Sequence, residues 1–448
     1  MCNGVNLIYV KNSQTNMIQN KVYFIMMRSS KFLNTTTAAY ATTSINQILI
    51  QIITVPIFIL KTDLETFAAW LIAYNFALLT TVLDFGQVTA SQNSFRKLAL
   101  QNMKHQILER TKYLNTFTAI TYASYFVVLC TISDLLPKNL SMLLCGIFVY
   151  LNLLQTIFGV FEAQTRANGT PTLGIYSSNI LRLSEFLGVL VGLLLFSDSL
   201  PSIAICAALS KTFVFLAILL RQRKHYSVIT FGISSRSCFC LSIKEGTPFL
   251  LNKISDWLIV SGVVIAIESK ISSFELVLFV ASRTFFRLGW QLSSIISSSH
   301  SIKMTSAWAE DKINEFNKLR IRNLKITLII SLIGSVFYLT IGKTLFEYWT
   351  RNNLQLDPDL LHIGLTYSLV LSISHAQKST FNSINRNLLN SIISLISATL
   401  VNLTIWYSQV AQSLGDVYIL LVIVEFISMV SILLLGRRTL QKYQDKSF

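Results

Sequence analysis

Charge is what this chain has least of. Only 13% of its 448 residues are Asp, Glu, Lys or Arg, against roughly 25% in soluble domains, while 52% are hydrophobic. That balance excludes a soluble globular protein. Proline is also rare, with six in all. Pro137, Pro171, Pro201, Pro248 and Pro358 fall in expected loops or first helical turns, which leaves Pro56 alone inside an apolar run, where it should bend a helix. The six cysteines, Cys2, Cys130, Cys145, Cys206, Cys238 and Cys240, show no zinc or redox spacing and read as small packing residues. No GxxxxGK[ST], HExxH or GxSxG motif occurs, and the five histidines stand apart. The outer loops are short, the longest running from about Glu347 to Asp359. These absences exclude a P-loop motor, argue against an enzyme, and predict neither cofactor nor metal.

What the chain does have is twelve apolar runs of the length that spans a bilayer, about 17 to 25 residues. They lie near 41–60, 66–83, 116–136, 140–160, 173–196, 200–220, 246–267, 274–296, 324–346, 360–377, 391–407 and 414–436. The expected fold class is therefore an all-α integral membrane protein. It divides into an N-terminal extension 1–35 without signal-peptide features, a six-helix lobe 36–222, a basic connector 223–245, a second six-helix lobe 246–436 and a tail 437–448. A faint internal echo at an offset of 207 residues, setting Phe67 opposite Phe274, implies a parallel repeat with its axis along the membrane normal. The net charge of +16 is one-sided. Loops after even-numbered runs, with both termini, hold 26 or 27 Lys and Arg as Lys325 is placed, and the opposite side only Lys61, Lys138, Lys270, Lys343 and Arg351. The positive-inside rule puts both termini in the cytoplasm, and charge scattered over seven short segments does not fit nucleic acid.

Charges inside the apolar runs are the candidate functional residues, because each costs several kcal/mol unless it is paired or faces water. Arg182 with Glu185, and Lys253 with Asp256, stand three residues apart and read as pairs neutralised on one helix face, or as exposed to a cavity. Glu425 reads as a proton-coupling group or a partner for a cation. Lys211 adds a mid-membrane cation. In "SRTFFRLGWQ", Arg283 and Arg287 share a face about 14 and 20 Å from the outer end, and Glu275, the only acid on that run, is two turns away. Five cations against three acids leave the midplane positive, which suits a phosphate or diphosphate guest. The stretch "LLTTVLDFGQVTASQNSFRK" ends a run in Asp84 and Gly86. Glycine permits a break there and aspartate can cap the polar segment beyond it, as a gate or as an ordinary connector.

With Pro56 in the first run, "LDFGQVTASQN" leaving the second, "GTPFLLNKISDWLIVSG" opening the second half and "ASRTFFRLGWQLSSII" after it, the chain resembles the polysaccharide exporters of the multidrug/oligosaccharidyl-lipid/polysaccharide superfamily, and within them the O-antigen flippases of the Wzx type. The resemblance runs from about Ser29 onward. It implies two six-helix lobes around a central cavity that opens alternately to each side of the bacterial inner membrane. It also implies an undecaprenyl-diphosphate-linked oligosaccharide as the guest, moved from the cytoplasmic to the periplasmic leaflet. Membrane lipids, a polysaccharide polymerase and a chain-length regulator are the implied partners. Multidrug antiporters of the same superfamily are the nearest rival, but they resemble one another in a carboxylate deep in the first helix, and 44–60 contains none. A membrane polymerase or acyltransferase is the rival from another class.

Overall fold

The computed structural model describes residues 36–131, 142–222, 230–232, 236–268, 270–384, 387–407 and 413–444. The expected extension 1–35, parts of the 223–245 connector and the end of the tail lie outside them. All regular structure among the described residues is helical. The first half holds α1 (Thr36–Lys61), α2 (Leu64–Ala77) with a 3-10 continuation (Leu78–Val82), α3 (Gln87–Leu100), α4 (Lys104–Thr131), α5 (Met142–Ala167), α6 (Pro171–Leu195) and α7 (Leu200–Gln222). The second holds α8 (Arg236–Trp257), a π-helical turn (Leu258–Gly262), α9 (Val263–Glu268), α10 (Ser273–Ala309), α11 (Ile313–Trp349), α12 (Pro358–Asn382), α13 (Leu388–Tyr407) and α14 (Leu414–Gln444).

Ten described helices, counting each with its 3-10 or π continuation, are long and apolar enough to cross a membrane. The remaining two expected spans, 274–296 and 360–377, are α10 and α12, which have the length but not the apolarity. Their polar side chains are turned inward: Gln291, Ser293 and Ser297 on α10 and Ser368, Ser372 and Ser374 on α12 are buried. α10 packs against α1, α11 and α12, and α12 also against α14. A helix covered by other helices need not be soluble in lipid all round, and its polar stripe marks the protein interior.

Local chemistry sets the helix ends. Asp63 caps α2 by accepting the Thr66 backbone N–H, a bond that holds its carboxyl below the usual carboxylate range. Ser272 and Glu275 form a capping box on α10, so Glu275 serves the helix end rather than the arginines below it. On α6, Gly188 and Gly192 stand against the α7 backbone at Ala207 and Ile203, close packing that a Cβ would block. α8 begins at Arg236, well before the expected run, so Pro248 lies inside the helix and its expected place in a first turn is corrected.

α1–α7 and α8–α14 make two lobes. α10 crosses the seam to α1 and α2, and α8 crosses to α3. Val55, Phe58 and Phe67 of the first lobe share one buried core with Val277, Phe279 and Phe346 of the second. Pro56 sits within α1 and has no N–H to give the Ile52 carbonyl. Trp349 Nε1, arriving from the end of α11, donates to that carbonyl at 2.7 Å. The helix irregularity thus becomes a tie between the lobes.

Candidate functional site

Neither expected same-helix pair forms. Glu185 accepts from Lys211 on α7 at 2.6 Å, and Lys211 also donates to the Leu151 carbonyl at 3.0 Å. Lys211 is 2% exposed, so its ion pair is closed within the first-lobe interior. Arg182 is exposed, next to Tyr74, whose hydroxyl feels both Arg182 and Glu185. Lys253 turns away from Asp256 and crosses to the other lobe, reaching the two Asp84 oxygens at 2.7 and 2.6 Å. Spacing of three brings side chains to one face but does not choose between a same-helix and a cross-helix partner.

Asp84 is buried, and it also accepts the Gly86 backbone N–H at 2.9 Å. Gly86 takes φ +71°, and the α8 backbone around Gly246 and Phe249 lies against it so closely that no Cβ fits. Phe85, at φ +51°, packs edge-on against Phe117 at 5.4 Å between ring centroids. The DFG turn is therefore more than a connector: it joins α2–α3 to α8 by a buried ion pair and by backbone contact. Arg110 adds a bond to Ser242 at 3.1 Å and an ion pair with Glu245 at 2.5 Å on the same seam.

The two arginines of α10 have separate fates. Arg283 is buried, and its two terminal nitrogens donate to the carbonyls of Val260 and Ile259 at 2.8 Å each. Those carbonyls belong to the π-helical turn, so this fork anchors α10 to α8, and the expectation of two free forks is corrected to one. Arg287 makes no hydrogen bond or ion pair among the described residues. Its guanidinium lies over the Trp290 ring at 4.8 Å, and Trp290 in turn meets His375 edge-on at 5.2 Å. Arg287 Nε, Trp290 Nε1 and His375 Nδ1 are all buried without a hydrogen-bond partner among the described residues. Buried polar atoms are almost always bonded, so three together mark a place built for something else.

Acids face the same region. Glu425, 3% exposed, accepts from Lys378 at a long 3.5 Å, which makes it a cation's partner in this structure. Asp256 is exposed and makes no ion pair among the described residues, yet it feels Lys378 of α12, Glu425 of α14 and Arg287 of α10. It therefore faces an opening among these helices. Gln291, one residue past Trp290, donates to Gln51 of α1 at 2.6 Å, so the cluster borders the seam between lobes. Sequence reasoning misses two members. Lys378 falls among the basic loops because the apolar run ends at 377, and His375 reads as solitary. Their spacing of three on the Ser-rich helix is the available signal.

No protein-family model and no curated protein sequence matches the chain. Solved structures do, and they share its fold. A mutant of the Vibrio cholerae MATE transporter VcmN superposes with TM-score 0.71 at 11% identity, covering 92% of this chain and 97% of that one. An outward-facing multidrug resistance MATE transporter of the MOP superfamily gives 0.69 at 13%, with 93% and 100% covered. A MOP superfamily transporter from Pyrococcus furiosus, described by a reverse polarity of its binding pocket that suggests a different function, gives 0.67 at 15%, with 92% and 99% covered. The chain is thus an all-α, multi-pass membrane protein with the MATE-transporter fold.

Proposed function

We propose that this protein is a flippase for an undecaprenyl-diphosphate-linked oligosaccharide, carried from the cytoplasmic to the periplasmic leaflet between the two lobes. The observation that carries the reading is Arg287: an interior guanidinium with no acid bound to it among the described residues, beside the equally unpartnered indole N–H of Trp290 and ring nitrogen of His375. A guanidinium fork that finds no carboxylate suits a phosphate oxygen. α1 contains no acid, and a transporter of this fold is already described by a pocket of reversed polarity. Arg287 would hold the diphosphate, Arg283 would fix α10 around it, and Lys253 with Asp84 and Gly86 would close the basic end of the seam. Arg182 is the first-lobe cation left to meet the guest.

A second reading, a multidrug or cation antiporter, draws on Asp256, an exposed interior acid with no ion pair among the described residues, which could take a proton or a cation. Deleting the gene separates the two. A flippase deletion accumulates lipid-linked oligosaccharide on the cytoplasmic leaflet and loses surface polysaccharide. Unchanged polysaccharide with increased sensitivity to cationic drugs would favour the antiporter. The one-sided basic loops support an orientation with both termini in the cytoplasm. Alkaline phosphatase fused at Lys270 or Asn352 is then active and at Arg236 inactive, and activity at Arg236 reverses the orientation.

A further inference from the structure

At the end of the bundle that carries the basic loops, a cavity of about 140 Å³ opens between the lobes. α3, the α5–α6 turn and α10 form its walls. We propose that it binds the diphosphate headgroup of a lipid.

Two guanidinium groups define the cavity's chemistry. Arg96 of α3 lines it and makes no hydrogen bond or ion pair among the described residues. Glu310, the acid that feels Arg96, is engaged with Lys312 at 2.7 Å. Arg166, at the end of α5, uses one terminal nitrogen on Glu162 at 2.7 Å and on the Tyr40 hydroxyl at 2.8 Å, which leaves its buried Nε without a partner. The second feature is the α5–α6 turn. Gly169, at φ +77°, turns the chain so that Arg96 Nη1 stands 3.9 Å from where its Cβ would be. The guanidinium therefore lies over the start of α6, a 25-residue helix whose N-cap, Thr170, turns its hydroxyl back to donate to the Thr165 carbonyl at 3.3 Å. The Arg96 fork and the remaining Arg166 Nε, beside the positive end of a long helix, select an anion with several oxygens.

The third feature is the opposite wall, where Ile302 and Ser306 of α10 face the arginines. Ile302 and Pro171 are apolar, so the cavity accepts a charged head with hydrocarbon behind it, whereas a free phosphate would leave that wall uncovered. One wall belongs to each lobe. Asn93, beside Arg96, donates to the Asn382 carbonyl at 2.8 Å and closes the seam next to the cavity. A headgroup seated there touches both lobes at once. The site is separate from the Arg287 cluster, and only the choice of a lipid diphosphate as the guest rests on the function proposed above.

The test is arginine-specific labelling of the full-length protein in phosphatidylcholine nanodiscs. Phenylglyoxal modification is followed by peptide mass spectrometry at Arg96 and separately at Arg287, with farnesyl diphosphate or inorganic diphosphate as probe. Farnesyl diphosphate is expected to slow modification of Arg96 about tenfold, the worth of one charge-assisted hydrogen bond, and inorganic diphosphate much less. Ser306→Phe, which fills the cavity and leaves both arginines, should abolish protection at Arg96 and keep it at Arg287. Arg96→Gln, which leaves the walls intact, should weaken farnesyl diphosphate binding by about the same factor. Equal protection by inorganic diphosphate overturns the lipid assignment. An Arg96 whose labelling neither probe changes, with unaltered affinity in Arg96→Gln, overturns the site. Loss of protection at Arg287 alone counts against the function proposed above and leaves this site standing.

Discussion

Two interior charge clusters, one in each lobe, are handled in opposite ways. In the first, Lys211 is buried, with Glu185 at 2.6 Å and the Leu151 carbonyl at 3.0 Å, so its charge is used up by the protein. In the second, Asp256 and Arg287 share an opening without pairing, and Lys378 and Glu425 meet at a long 3.5 Å. A closed pair stabilises a packing arrangement. An open set of charges leaves electrostatic work for a guest, and this difference places the candidate site in the second lobe, beside the seam.

Substitutions that treat the lobes alike test the difference, and the largest effect belongs to the closed pair. Lys211→Met strands a carboxylate and should cost about 3 to 5 kcal/mol, read as lost membrane abundance and a lower melting temperature. Lys211→Met combined with Glu185→Leu removes both charges and should recover most of that loss. If the single substitution is harmless, the first lobe is as open as the second. Next comes Arg283, which the structure makes an anchor. Arg283→Met removes two charge-assisted bonds to the π-helical turn and should lower stability by about 3 kcal/mol or more, with melting temperature again the readout. The smallest effect is Asp256→Asn. An exposed acid with no ion pair among the described residues strands no partner when neutralised and should cost less stability than either change above, so any lost transport at normal abundance is functional.

The helices are legible in the sequence, because lipid demands long apolar runs and the scarcity of charge finds them. Their ends are less so. The expected run 324–346 grows into the 37-residue α11, and 274–296 into the 37-residue α10, since the polar extensions pack on protein or stand in water and carry no apolar signal. The DFG stretch is unusual from its residues alone. Its partner, Lys253, is not, because 169 residues separate the two and spacing speaks only of neighbours on one helix. The same limit sets Arg182 against Glu185 in place of Lys211. Within the site, depth and charge single out Arg287, whereas Lys378 and His375 are lost where α12 turns polar. Phe67 and Phe274, matched across the internal echo, differ in setting: 2% exposed against 43%.

On the function proposed above, the most direct test of an open second lobe is the export carried by Arg287 variants in a flippase-null strain, measured as surface polysaccharide and normalised to protein in the membrane. Arg287→Ala should lose most export at normal abundance, with the guest bound at least about tenfold less tightly, and Arg287→Lys, which keeps charge but not the fork, should retain part of it. Arg287→Ala exporting at the wild-type level would contradict the account, for the one interior guanidinium of α10 left free by the protein would then have nothing to hold.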